Sequence, residues 1–143
     1  MLTLEQRTFL NTQRVGHLAT ADAAGQPHVV PVCYAVGEDG LYIALDAKPK
    51  RVGWQGLKRV RNIMDHPQVA LVIDCYTEDW QHLAYVLIRG TATLLPPATA
   101  EQHHAVALLR TRYAQYQTMP IDVQPVIAIR PQAVVAWGYL RDA

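Results

Sequence analysis

The sequence predicts a single, mainly β domain: an antiparallel, barrel-like sheet with helices over its ends. Three observations carry that prediction. Apolar runs of strand length recur between turn signals at residues 22–27, 38–40 and 96–97. In the longest candidate strand, residues 82–95, one face is small or apolar throughout (Ala84, Val86, Ile88, Gly90, Ala92 and Leu94), as a tightly curved sheet requires. Helical spacing is confined to three stretches, and no repeat or composition break divides the 143 residues, half of them hydrophobic.

Taken in order, residues 3–13 open with the capping-type Thr3 and place Leu4, Phe9 and Leu10 among polar residues, which predicts a short helix. A strand follows from Arg14 to Ala21, and after the turn a second over residues 28–36. That second strand is apolar on both faces, with Val30, Val32, Tyr34 and Val36 on one and Val29, Pro31, Cys33 and Ala35 on the other. It is therefore buried on both sides, or turns one side to a ligand or another subunit. Pro31 cannot donate to a ladder and requires an edge or a bulge.

The 38–40 turn leads to a returning strand at 41–45, and Pro49, Gly53 and Gly56 then hold the chain out of regular helix. Residues 57–64 have helical spacing, with Leu57, Val60, Ile63 and Met64 on the inner face and Lys58, Arg59, Arg61 and Asn62 on the other. His66 and Pro67 end it. A strand at 69–76 and a polar connection containing Trp80 lead into the strand at 82–95, whose opposite face carries Tyr85, Arg89, Thr91 and Thr93. Residues 98–113 form the last helix. Residues 125–140, with Pro131 in their middle, form one or two strands.

Charge is the most uneven property of the chain. Its net charge is +1, yet its only lysines (Lys48, Lys50 and Lys58) cluster with Arg51, Arg59 and Arg61, with no carboxylate between Asp46 and Asp65. Lys48, Lys50 and Arg51 follow a strand and precede a helix, where backbone N–H groups and cations together receive phosphate oxygens. A phosphate-bearing small molecule fits this stretch best. A contact to RNA or another polyanion is the rival reading, and it would rest on this patch alone.

Other chemistries are disfavoured. There is no serine for a triad, no glycine-rich phosphate loop, no recurring carboxylate pair, and the histidines lack metal-ligand spacing. Cys33 and Cys75 sit in apolar runs and are expected to be small buried thiols, without a disulfide or a metal. Catalysis would therefore be carried by a cofactor. Trp80 in a polar segment is expected to cover a flat ligand or another subunit, and His28 and Arg89 are further candidates. No leader and no apolar run of membrane length is seen, so the cytoplasm is the expected compartment.

Val15-Gly-His-Leu-Ala-Thr, followed by Asp-x-x-Gly-x-Pro-His-Val-Val-Pro-Val, resembles the opening of the pyridoxamine 5'-phosphate oxidase-like split β-barrel proteins. Leu-Tyr-Ile-Ala-Leu-Asp-Ala-Lys-Pro-Lys-Arg, Arg-Asn-Ile-x-x-His-Pro-x-Val-Ala-Leu and the Asp-Trp ahead of Arg-Gly-Thr-Ala are similar to its deazaflavin-dependent branch. The resemblance spans about residues 14–97. It implies an FMN-binding-type split barrel, a homodimer with cofactor sites between subunits, and hydride exchange between a deazaflavin of the F-420 type, or alternatively FMN, and a small conjugated substrate. It also implies that Lys48, Lys50 and Arg51 hold the cofactor phosphate, with Arg59 or Arg61 at the acidic tail of a deazaflavin. Asn62 joins this cofactor-binding set. Residues around Thr20, His28, Pro31 and Val32 would line the ring, and Trp80 would reach it from the partner subunit. His17, His28, Tyr34 and Tyr85 are candidate proton donors.

Overall fold

Thr3 starts the first helix, α1 (Leu4–Thr12), by a reciprocal pair of bonds: the Gln6 N–H donates to Thr3 Oγ1 at 3.1 Å, and the Thr3 N–H to Gln6 Oε1 at 3.0 Å. The helix buries Phe9 and Leu10 in the core. A computed structural model of the chain describes residues 1–45 and 53–141. In it the strands β1 (Gly16–Ala21), β2 (Pro27–Val32), β3 (Ala35–Val36), β4 (Leu41–Ala44), β5 (Gln68–Cys75), β6 (Ala84–Leu95) and β7 (Val126–Gly138) form one antiparallel sheet in the order β2-β1-β5-β6-β7-β4-β3. The helices α2 (Lys58–Asp65) and α3 (Ala100–Arg112) complete the domain.

The alternation expected of β6 is present, with Ala84, Val86, Ile88, Gly90 and Ala92 all buried. Its pairing with β7 shifts register at Arg89/Gly90, opposite Pro131, so that Pro131 is accommodated inside one continuous strand. A Cβ on Gly90 would lie 2.1 Å from the Arg130 carbonyl oxygen, so the bend requires glycine there. Pro31 is likewise accommodated, because β2 is the edge of the sheet.

Three expectations are corrected. The strand expected over residues 28–36 is broken at Cys33 and Tyr34, where the Tyr34 N–H leaves the ladder for the Tyr113 hydroxyl at 3.1 Å. In α2 the buried face is Val60, Ile63 and Asn62, whereas Met64 is 70% exposed. The helix is rotated toward Asn62 because that side chain has a partner on β1. Cys33 and Cys75 are free but half-buried.

The sheet supports two cores. One fills the concave side, with Leu18, Leu71, Ile73, Val86, Ile88, Ile127 and Ile129 closed off by Phe9, Leu10, Val60 and Ile63 of α1 and α2. The other lies under α3, where Ala105, Val106 and Leu109 meet Tyr42, Ala44, Val126 and Ala128. Polar groups fix α3 on this second core. Glu101 accepts from the Tyr42 hydroxyl at 2.8 Å and from Arg130 Nη2 at 2.7 and 2.5 Å. At the other end of α3, Arg112 donates to the carbonyls of Leu10, Asn11 and Gln13, the last of which the Tyr34 hydroxyl also reaches. The carbonyls at the end of α1 are satisfied in this way, and burial raises the ionisation of the Tyr34 hydroxyl well above its ordinary range.

The hydrogen bond from Arg130 holds the Glu101 carboxyl below its ordinary value, against the opposing effect of burial. A lowered carboxylate stabilises the fold fully above its unfolded value, about 4.3, and loses that contribution as pH falls through the folded value. The denaturation midpoint should therefore drop on acidification below about pH 4.5, and less steeply in Glu101→Gln. At pH 7 that substitution should cost about 1 kcal/mol, a modest figure because the pair is partly exposed. Equal pH slopes in chemical denaturation of the two proteins would show that the pair contributes nothing.

Candidate cofactor cleft

β2 and β4 lie at opposite reaches of the strand order, yet they wall the same cleft of about 180 Å3. β2 supplies Pro31 and Val32, followed by Cys33, and β4 supplies Ile43 and Ala44. Val15 and Tyr116 complete the apolar lining, and α2 contributes Arg59. A single guanidinium among aliphatic and aromatic walls is a site for a flat molecule with an anionic group.

Arg59 is held there by the docking of its helix. Asn62 is 1% exposed and donates through Nδ2 to Oγ1 of Thr20, itself 4% exposed, at 3.0 Å. Lys58 on the neighbouring turn meets Asp22 Oδ2 at 3.5 Å. The Asp22 carboxyl is held below its ordinary value chiefly by the Gln26 N–H, then by the Ala24 N–H, with Lys58 a lesser cause. Between these two attachments Arg59 keeps its Nε buried with no hydrogen-bond partner. A buried donor without a partner costs about 1–3 kcal/mol, which a bound acceptor would recover. The helix also begins at Leu57 with no side-chain cap and no acid of its own in the first turn, and the Asp22 carboxylate meets its first residue, Lys58.

The structure thus brings together Pro31, Val32 and Arg59 of the expected site. Thr20 and Asn62 do not line the cleft: they are bonded to each other, and Asn62 Oδ1 has no partner. His28 is half-buried opposite Thr20 on β2. Trp80 is elsewhere, at the start of a 3-10 turn between β5 and β6 that Asp79 caps, and it is 71% exposed. Lys48, Lys50 and Arg51 lie outside the described residues. Of the expected proton donors, Tyr34 is committed to main-chain carbonyls, donating to Leu10 at 2.5 Å and Gln13 at 3.1 Å. Tyr85 is stacked on Trp137, and His17 is exposed beside Pro31. Tyr116 was not legible as a cleft residue, since it belongs to a 3-10 turn (Ala114–Gln117) with no periodic pattern. Among the described residues no group of three or more His, Cys, Asp or Glu can hold a metal ion, and no helix is long and apolar enough to cross a membrane.

Residues 2–138 match the family described as Pyridoxamine 5'-phosphate oxidase. A 5a,11a-dehydrotetracycline/5a,11a-dehydrooxytetracycline reductase of Streptomyces rimosus subsp. rimosus is 28% identical over 141 residues, covering 98% of this chain and 85% of that protein. Among solved structures, the heme storage protein HutZ of Vibrio cholerae aligns with a TM-score of 0.74 at 15% identity, over 94% of each chain. An F420 reductase aligns with a TM-score of 0.67 at 22% identity, over 90% of this chain and 94% of that one. The curled antiparallel sheet with three helices is the split-barrel fold of these neighbours.

The attachment of α2 can be tested directly. Thr20→Val removes the acceptor of the buried Asn62 amide and should cost about 1–3 kcal/mol, lowering the thermal midpoint by several degrees. Adding Asn62→Leu should restore part of the loss, because no polar group is then left unpaired. A double variant less stable than Thr20→Val in thermal melts would show that this bond does not hold the helix.

Proposed function

The chain belongs to the pyridoxamine 5'-phosphate oxidase family, and from that premise we propose that it is an oxidoreductase binding a phosphate-bearing deazaflavin of the F-420 type. Its substrate is a small conjugated molecule that gains or loses a hydride. The observation that carries this reading is Arg59, a cation with an unpartnered N–H in an otherwise apolar cleft. Such a cleft matches a flat ring with an anionic arm. Bound there, the cofactor would supply the hydride chemistry, for which the chain itself has no covalent catalyst.

The chain's own residues bind, orient and exclude water. Arg59 receives an anionic oxygen, and the Thr20–Asn62 bond keeps its helix in place. Lys48, Lys50 and Arg51 provide the further cations for the phosphate, and Arg61, exposed on the same helix, is available to an acidic tail. Pro31, Val32 and Ile43 give the ring an apolar wall. With the Tyr34 hydroxyl committed to main-chain carbonyls, His17, His28 and Tyr85 remain the candidates for delivering a proton. The Streptomyces relative is a reductase of dehydro compounds by its name, which supports an unsaturated substrate.

One chain does not complete the site. A cleft of about 180 Å3 is smaller than the roughly 300–1,000 Å3 usual for a cofactor or drug-sized ligand. The proposal therefore includes a homodimer, in which a second copy supplies the remaining wall and Trp80 of one subunit serves the cleft of the other.

Titrating the purified chain with the F-420 deazaflavin and with FMN, read by fluorescence, tests this reading. The deazaflavin should bind more tightly, and Arg59→Ala should weaken it by about tenfold or more, equivalent to roughly 1.4 kcal/mol. A similar loss in a Lys50→Ala/Arg51→Ala variant would assign part of the phosphate to the loop cations. Tight FMN with no deazaflavin binding would replace the cofactor named here. Binding of RNA but of neither flavin, weakening steeply with salt, would replace the reading altogether.

A further inference from the structure

Most of the cleft wall is placed by the sheet. Pro31 and Val32 on β2 are fixed by pairing with His17 and Gly16, and Ile43 and Ala44 on β4 by pairing with Ile127 and Val126. Arg59 is placed by the docking of α2. Tyr116 belongs to neither a strand nor an α-helix, and among the described residues it is the sole aromatic one in the lining.

Side chains of α3 set its position. The turn that carries Tyr116 (Ala114–Gln117) and the next one (Ile121–Val123) have no side-chain cap of their own. Arg110 donates from Nε to the Tyr116 carbonyl at 3.0 Å, and from Nη2 to the Met119 carbonyl and to Asp122 Oδ1, both at 2.9 Å. Gln102, fully buried, donates to the carbonyls of Asp122 at 2.9 Å and Gln124 at 3.0 Å. In return Gln117 donates through Nε2 to the Arg110 carbonyl at 3.3 Å. Tyr113 packs edge-on against Tyr116, with ring centroids 5.6 Å apart, and its hydroxyl accepts the Tyr34 N–H one residue beyond Cys33 of the cleft. A wall residue held by side chains, not by the ladder, can be moved or exchanged without disturbing the sheet.

We propose that Tyr116 recognises the flat ring of the ligand, and that Arg110 is its positioning residue. Arg59 then takes the anionic oxygen while the Tyr116 ring packs on the ring system, where an aromatic side chain gains more than an aliphatic one of similar area. Arg110 does not line the cleft and acts on binding through the place it gives Tyr116. The inference rests on the flavin-type ligand proposed above and adds which residue reads the ring as distinct from the arm.

Two probes separate ring from arm: the F-420 deazaflavin, and the phosphate-free deazariboflavin that shares its ring and ribityl chain. Their dissociation constants are measured by fluorescence on the full chain, with thermal melts to verify folding. Because Tyr116 is also packed in the second core, the substitutions used keep most of its bulk. Tyr116→Leu should weaken both probes by about fivefold and leave their ratio unchanged, and Tyr116→Phe, which keeps the ring, should retain most of the affinity so lost. Arg59→Ala should instead narrow the ratio, since one probe alone carries the phosphate. Arg110→Met should weaken both probes by about threefold, and combining it with Tyr116→Leu should cost no more than Tyr116→Leu alone. Losses that multiply in the double variant overturn the positioning role of Arg110. Ring recognition is overturned, with Arg59 and the cofactor reading left standing, by a parent chain that holds the deazaflavin but not the phosphate-free probe. It is equally overturned if Tyr116→Leu binds both probes like the parent or alters their ratio, or if Tyr116→Phe binds as weakly as Tyr116→Leu. A parent chain that binds neither probe overturns the cofactor reading and this inference together.

Discussion

The bend where β6 and β7 pair at Gly90 organises the domain. Arg130 approaches the Gly90 backbone more closely than any side chain would permit, and the two strands shift register there. On one side of the bend, β7 lies beside β4 and under α3, and its outer residues belong to the second core. On the other side the same strand leaves Val135 and Trp137 in the open. The curl that accompanies the bend also brings the β4 side of the sheet round toward the β2 edge, and the candidate cleft lies between them. One glycine thus separates a face closed by the chain itself from a face left for something else.

The fold was readable to the extent that it depends on local pattern. The Thr3 cap, the alternation of β6 and the helical spacing before His66 all follow from side-chain period, and each appears close to its expected bounds. The errors arose where a tertiary partner overrode that period. Asn62 is polar and was assigned outward, but Thr20 on β1 draws it in, and Met64 is displaced to solvent. The strand through Cys33 and Tyr34 has uninterrupted β-forming sequence, yet a hydroxyl from Tyr113, 79 residues away, takes its amide. No local rule contains those partners.

The candidate site was readable in kind more than in place. A surplus of cations without interleaved acid pointed to an anion, and Arg59 does stand in a cleft with an unpartnered donor. Pro31 and Val32 stand with it. The loop cations lie outside the described residues, so their share rests on sequence. What period could not reveal was Tyr116, brought to the cleft from a segment about 50 residues beyond α2. Helix position and not residue type separates the roles of α2: Asn62 anchors, Arg59 faces the cleft, and Arg61 faces solvent.

The contacts of Arg112 tie the two ends of the chain together. The carbonyls that end α1 are satisfied mainly by a guanidinium about 100 residues later, at the far end of α3. The other side-chain donor that reaches Leu10 and Gln13 is the Tyr34 hydroxyl. The end of the first helix is therefore closed in two ranges, one about 20 residues long through Tyr34 and one that spans most of the chain through Arg112, and the longer carries the greater loop-closure cost.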